Sequence, residues 1–404
     1  MLSIKATGAA VAGAILIACA ASGPAAHAAE KVYRIGAPLP LTGGLSPEGL
    51  RMKAGYDLWA EKQNAAGGIK AGEDSYKVEI IYSDYQSNTP RAVQSAELMI
   101  IENKVDALFA PFGSGATKAV SAISEKYGVP MIAAQAASAQ VYDQGFKYLF
   151  GMYTPNNTVV EPLVDLVIRA NPSVKRVAVL SRNDLFPLAI AEVFTEYAKS
   201  KGLEVVFEQK FPVGTVDFSS ALTQIRSSKA DWLYATGYTN DMVVIRKQMQ
   251  ELGVKPQLTA MLVGPTSPDF LNNTGKLSEN VVTSAWWDPA ADLKGDDVFG
   301  SAVAFAKEYA ARHNGTMPEY SAASAAACGV VFAIAVSKAG TVDKAKVRDE
   351  IAKLDVDTFY GHIKFGPTGQ IVSLKPPTMQ IQNGKPVVVD PPEIKQSDIR
   401  FDQK

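Results

Sequence analysis

Short runs of β-branched and aromatic residues alternate along this chain with longer stretches whose apolar positions recur at helical spacing. Residues 33–37 read as a strand, 49–65 as a helix, 78–82 as a strand, 91–102 as a helix, 107–110 as a strand, 117–127 as a helix and 129–133 as a strand. A second series of the same rhythm opens with a helix at Asn156 and carries strands at 176–180, 204–207, 232–236 and 257–261. Each crossover is long enough for parallel pairing, so the pattern predicts an α/β protein of two doubly wound parallel-sheet lobes, each sheet having roughly four to six strands. Helices over 298–313, 321–337 and 344–354 follow with no strand between them and are expected to cover a lobe already built. Residues 359–365 alternate as a strand, 366–369 have turn chemistry, and 379–389 read as a hairpin around Asn383-Gly384. The Pro-rich tail from Pro391 reads as a surface extension.

Ahead of the first strand lies a different pattern. Met1, Lys5 and the apolar run from Val11 to Ala21 lead into Ala26-His27-Ala28, the small-x-small site of a secretory signal, which makes residues 1–28 a signal peptide. The run is too short for a spanning helix of about 20 residues, and no later run is read as one, so a soluble exported product is expected. Leu16-Ile17-Ala18-Cys19 also resembles a lipobox; lipidation at Cys19 is the alternative to plain cleavage after Ala28, and would tether the folded part through a flexible Ala/Ser/Gly/Pro-rich segment.

Without residues 1–28 the chain keeps 39 basic and 41 acidic residues, a balance that offers no basic stripe for nucleic acid. The length exceeds what one core usually organises, in line with two lobes. Of the 2 cysteines, Cys328 sits in the apolar helical run of residues 324–330 and reads as a buried inert thiol, so no intramolecular disulfide is expected after cleavage. His313 and His362 lack zinc-ligand spacing and read as structural. There is no Gly-x-Ser-x-Gly elbow, no P-loop and no dinucleotide fingerprint, since Gly113-x-Gly115 is followed by Lys118 where a third glycine would fall. Asp296-Asp297 and Asp355-Val356-Asp357 read as capping and solvated acids at helix edges. No enzyme, cofactor or metal is implied.

One loop does carry chemistry. Strand 108–110 gives way to Pro111-Phe112-Gly113-Ser114-Gly115-Ala116 and a helix from Thr117, which gathers free backbone N–H groups and the Ser114 hydroxyl at a helix N-terminus beyond a strand's carboxyl end. That arrangement favours an anion, a carboxylate by about 0.3–2 kcal/mol plus its hydrogen bonds, although Ser114 as a plain helix cap is an equal reading of the same residues. The next strand end, 133–138, repeats the design with small residues and the Ser138 hydroxyl.

At these loops the chain resembles the type I periplasmic binding proteins of ABC transporters, the leucine/isoleucine/valine-binding family. The resemblance runs from Lys31 to about Gln382 and is carried by PLTGGLSPEG at 40–49, NAAGGIKAG at 64–72, VDALFAPFGSGAT at 105–117 and DTFYGHIKFGPTGQ at 357–370. It implies two α/β lobes joined by three crossovers that close on a ligand, with 31–152 plus 285–357 as the first lobe and 153–284 plus 358–404 as the second. It also implies a periplasmic location, a monomer, and partnership with an ABC permease and ATPase complex at the inner membrane. A ligand sensor docking onto a receptor would use the same fold.

Residue by residue, the resemblance implies a carboxylate site at Gly113, Ser114, Gln135, Ala136, Ala137 and Ser138, the last standing where the family usually ends its loop in Ala-Thr. Phe186 matches a pocket tyrosine and Tyr238 another pocket aromatic. Leu262 falls where amino-acid binders place the glutamate that pairs with the ligand ammonium. A buried ammonium without that partner costs several kcal/mol, so an aromatic or branched organic acid is the first expectation and a branched-chain or other apolar amino acid the second. Glu48, at the position of a pocket aromatic, is the candidate substitute acid, with a helix-start glutamate as its plainer reading. The family's disulfide is missing, with Asp84-Tyr85-Gln86 and Gly113 where its cysteines would align. Tyr85 and Trp287 are candidates to deepen the pocket, while Trp286 is expected to pack the lobes.

Overall fold

The computed structural model describes residues 1–8 and 31–402. The cleavage site after Ala28 and Cys19 lie outside the described residues. The fold begins with β1 (Val32–Leu39), α1 (Ser46–Ala65), β2 (Ile69–Ala71), β3 (Asp74–Asp84), α2 (Thr89–Ile101), β4 (Ala107–Phe109), α3 (Ser114–Tyr127), β5 (Met131–Ala133), α4 (Ala139–Tyr142) and β6 (Leu149–Gly151). It continues through α5 (Asn157–Ala170), β7 (Arg176–Arg182), α6 (Leu185–Ser200), β8 (Glu204–Phe211), α7 (Ser219–Ser227), β9 (Trp232–Thr236), α8 (Thr239–Glu251), β10 (Leu258–Leu262), α9 (Pro268–Thr274) and β11 (Val282–Ser284). Helices α10 (Ala302–Arg312), α11 (Tyr320–Ala339) and α12 (Lys344–Ala352) precede β12 (Asp355–Thr358), β13 (Gly361–Lys364), β14 (Thr378–Gln382) and β15 (Lys385–Asp390).

The first lobe is built on a six-stranded sheet in the order β2-β3-β1-β4-β5-β6, the second on a seven-stranded sheet in the order β15-β14-β11-β10-β9-β7-β8. Pairing is parallel except at the margins, where β2 runs against β3 and β14 against β11 and β15. The three-residue strands β4, β5 and β6 are buried on both faces, which is why they read as uninterrupted apolar runs. Asn383 and Gly384 both have positive φ, as a two-residue type I′ hairpin turn demands, and join β14 to β15 as expected.

Helices α1 and α11 cover the first sheet. Their backbones approach so closely that a Cβ at Gly55 would strike the Ala322 carbonyl and one at Gly329 would overlap the Trp59 ring. Tyr56 stacks on Phe109 with centroids 3.9 Å apart beneath this contact. Among the described residues α11 is long and apolar enough to cross a membrane, contrary to the expectation that no later run would be; 83% of its most apolar 18-residue stretch is buried inside the protein, which accounts for the composition. Gly329→Ala is expected to cost about 1–3 kcal/mol through overpacking, read from denaturant unfolding.

Two expectations change. Gly151 pairs with Gln370 in parallel, Ile371 donates to the Gly151 carbonyl at 2.9 Å, and Phe150 packs edge-on to Phe365 at 5.2 Å. Residues 365–371 therefore extend the first sheet, and the third crossover lies between Ile371 and β14 rather than near residue 357. The tail is also not a loose extension: Gln380 donates to the Arg400 carbonyl and accepts from its N–H, both at 2.8 Å, Gln382 donates to the Asp398 carbonyl at 2.8 Å, and Asp402 donates to Gln257 at 2.9 Å.

Candidate functional site

The carboxyl ends of β4 and β5 face those of β9 and β10 across the cleft between the lobes. Their loops meet around a small cavity of about 20 Å³ lined by Phe112, Gly113, Gln135 and Ala137 of the first lobe, Tyr153 of the first crossover, and Phe186, Tyr238 and Val263 of the second lobe. That volume admits about one water.

The first-lobe wall is formed by the loop between β4 and α3 and the loop that follows β5. Gly113 is the N-cap of α3, with φ 84° and ψ 153°, and its N–H donates to the Gln135 carbonyl at 3.1 Å. The first intrahelical bond is Thr117 N–H to Gly113 O, so the N–H groups of Ser114, Gly115 and Ala116 precede the ladder at the positive end of the helix. Ser114 is fully buried, and its hydroxyl accepts from the Ser138 N–H at 3.2 Å, tying the β4 and β5 loops together. The Ser138 hydroxyl is buried with no hydrogen-bond partner. Ser114 and Ser138 adjoin the lining residues Gly113 and Ala137 rather than forming the wall themselves. Gln135 is anchored by a side-chain hydrogen bond to Ser321, the Ala136 carbonyl accepts from the Tyr142 hydroxyl at 2.7 Å, and Gln370 holds the Ala137 carbonyl at 3.2 Å and that of Tyr153 at 2.9 Å.

The opposite wall is aromatic. Tyr238, the N-cap of α8, stands edge-on to Phe112 at 5.1 Å, with its hydroxyl over Gly113. Burial holds the Tyr238 phenol well above its ordinary pKa, so it is a hydrogen-bond donor throughout the physiological range. Behind it the Arg182 guanidinium lies 5.0 Å over the ring and is clamped by both Asp241 oxygens at 3.0 and 3.1 Å. Phe186 lies 6.2 Å from Trp286, which stacks flat on Tyr153 at 4.1 Å.

The remaining expected residues fall at varying distances from this cavity. Tyr85 is buried behind it, its hydroxyl donating to the Phe112 carbonyl at 3.3 Å. Leu262 is buried and its carbonyl accepts from Gly237, while the following residue, Val263, is the one that lines the cavity. Trp287 points away, donating to the Phe359 carbonyl at 3.2 Å among Phe305 and Phe359; it is Trp286 that backs the aromatic wall, because neighbours leaving a strand face opposite sides. Glu48 is buried at the lobe junction: Oε1 accepts from the Thr239 N–H at 3.0 Å and lies 3.5 Å from Arg51, and Oε2 has no donor. Phe112, Tyr153 and Val263 escaped the sequence reading, though Phe112 lies inside the loop that drew attention to Gly113. No group of three or more His, Cys, Asp or Glu side chains suited to a metal occurs among the described residues.

Comparison with known proteins bears on the family and the fold. The family model described as periplasmic binding protein matches residues 32–385. The chain is similar to Leu/Ile/Val-binding protein homolog 8 of Brucella suis, 30% identical over 244 residues, a match that spans 59% of either chain and so only about three-fifths of that relative's length. Among solved structures, the branched-chain amino acid transporter substrate-binding protein of Streptococcus pneumoniae, in complex with isoleucine, superposes with a TM-score of 0.80 at 24% identity over 92% of this chain and 100% of that one. An ABC transporter solute-binding protein of R. palustris in complex with benzoate gives 0.76 at 20% identity, covering 89% of this chain and 95% of that one.

Proposed function

The chain belongs to the periplasmic binding protein family, and from that premise we propose that it captures a small carboxylate-bearing solute between its lobes in the periplasm and delivers it to an ABC permease and ATPase complex. The ligand of this proposal is an aromatic or branched organic acid. Its carboxylate rests on Gly113, Ser114 and the backbone of residues 136–138 at the N-terminus of α3, under the Tyr238 phenol, and its apolar part lies among Phe112, Tyr153, Phe186 and Val263.

The observation that carries this choice is that no acidic side chain lines the cavity. The nearby acids have partners of their own: Asp241 is held by Arg182, and Asp184 caps α6 through the Leu185 N–H at 2.7 Å. An ammonium brought in with the carboxylate would meet no carboxylate in that lining and would lose its hydration. A second reading, an apolar α-amino acid, rests on Glu48, whose buried Oε2 has no donor. The benzoate and isoleucine complexes of the two similar proteins illustrate these two ligand types in this fold.

A thermal-shift panel of aromatic and branched acids against apolar amino acids separates the readings, since a ligand at 100 times its Kd adds about 2.7 kcal/mol of stability. Shifts confined to carboxylates without an ammonium support the first reading; shifts confined to amino acids overturn it in favour of the second. Ser114→Ala is expected to weaken the best ligand at least tenfold by calorimetry, the value of about one charge-assisted hydrogen bond of 1.5–3 kcal/mol.

A further inference from the structure

We propose that Arg51 is the centre of a clasp that holds the two lobes shut, and that through Thr239 this clasp seats Tyr238 over the anion loop. Arg51 belongs to α1 of the first lobe and is 9% exposed. Its Nε lies 2.7 Å from Glu319 Oε1 and its Nη2 lies 3.5 Å from Glu48 Oε1, two acids that stay beside it on the first lobe. Across the cleft, Nη1 donates to Asp269 of α9 at 2.7 Å and Nη2 to the Thr239 hydroxyl at 3.1 Å. Three further bonds cross the same junction: Thr239 N–H to Glu48 at 3.0 Å, Thr266 hydroxyl to Glu319 at 3.0 Å, and Asn240 to the Gly44 carbonyl at 3.0 Å.

The arrangement has the chemistry of a device that engages only on closure. Thr239 is the first residue of α8 and follows Tyr238, so the Glu48 carboxylate of one lobe supplies the negative charge at the positive end of the other lobe's helix, one residue from the phenol that covers Gly113. Glu48 and Glu319 are both buried against a single guanidinium, with Asp269 as a third acid, an imbalance that the Thr239 N–H and the Thr266 hydroxyl of the second lobe relieve by donating to Glu48 and Glu319, while the Thr239 hydroxyl accepts from Arg51. When the lobes separate, Arg51 keeps its first-lobe acids and loses every second-lobe contact. The clasp therefore biases the open and closed populations from residues outside the cavity lining, and the cavity of about 20 Å³ has room for about one water while the clasp is engaged. Affinity is then set partly by how often the clasp releases and how firmly it re-engages.

The inference shares with the proposed function only the premise that closure accompanies capture. Small-angle scattering of the protein with no added solute tests it directly. Arg51→Met is expected to increase the radius of gyration measurably over wild type, and Arg51→Lys to do so less. Because Arg51→Met leaves Glu48 and Glu319 without their cation, the double variant Asp269→Asn with Thr266→Val, which removes only second-lobe partners, is expected to expand the particle in the same direction while retaining the wild-type circular dichroism spectrum. With benzoate and L-isoleucine as probes, whichever binds the wild type is expected to bind the double variant at least fivefold more weakly and to return it to the wild-type radius at saturation. Unchanged scattering and unchanged affinity in the double variant would overturn the clasp. If neither probe binds the wild type, the ligand reading is in question, and the solute-free scattering alone then decides the clasp.

Discussion

Gly113→Ala is expected to reduce ligand affinity at least about 30-fold, a loss of about 2 kcal/mol, with only a modest fall in melting temperature. At φ 84° and ψ 153° the backbone occupies a region that side chains avoid, at a cost on the order of 1–3 kcal/mol. The added Cβ would also stand 3.4 Å from the Tyr238 hydroxyl oxygen, in the space a carboxylate needs. Relief comes by turning residue 113 back to negative φ, which breaks its hydrogen bond to Gln135 and rotates the first N–H groups of α3 away from the cavity. Calorimetry with the strongest ligand of the panel provides the measurement. Gly128→Asn, at the left-handed C-cap of the same helix, is the control: φ 61° and ψ 38° suit asparagine, and binding should be unchanged. Equal losses in the two variants would mean that α3 responds to any strain, and not to the anion loop in particular.

The largest expected effect belongs to Val263→Glu. Val263 follows the end of β10 and is the side chain at which the second lobe's wall could most directly acquire an acid. An ionised carboxylate there would face the ligand carboxylate in a site that excludes water, where two like charges about 4 Å apart repel by about 4 kcal/mol at an effective dielectric constant of 20. Organic acids should bind more than 100-fold more weakly. Apolar amino acids gain an ammonium partner in the same variant and should lose far less, so the ratio of the two affinities should move toward amino acids. A uniform loss for both classes would indicate collapse of the cavity and remove the charge argument.

Much of this architecture is legible along the chain because each α/β unit writes its own local signal. The doubly buried strands appear as short apolar runs, the glycine at the α3 N-cap marks a positive φ, and Asn383-Gly384 announces its hairpin. What the sequence conceals is whatever depends on partners far apart. Arg51 looks like any surface cation on a helix, yet its partners Thr239 and Asp269 lie 188 and 218 residues further on. Trp286 and Trp287 differ by one position, and only the direction in which β11 ends decides which faces the aromatic wall. The same one-residue ambiguity separates Leu262 from Val263. Strand β2 is three residues long, and residues 365–371 join the first sheet only because its open edge at β6 accepts them.

The close packing of α11 on α1 bears on how such a chain can acquire its structure. Synthesis proceeds from the N-terminus, so the apolar face of α1 waits uncovered until α11 has followed it, and the second sheet waits for β14 to occupy its place beside β11. The high sequence separation of these pairings slows folding into the native form. A chain whose distant pairings close late keeps apolar surface uncovered for longer, and that surface is open to association with other chains until the last strands arrive.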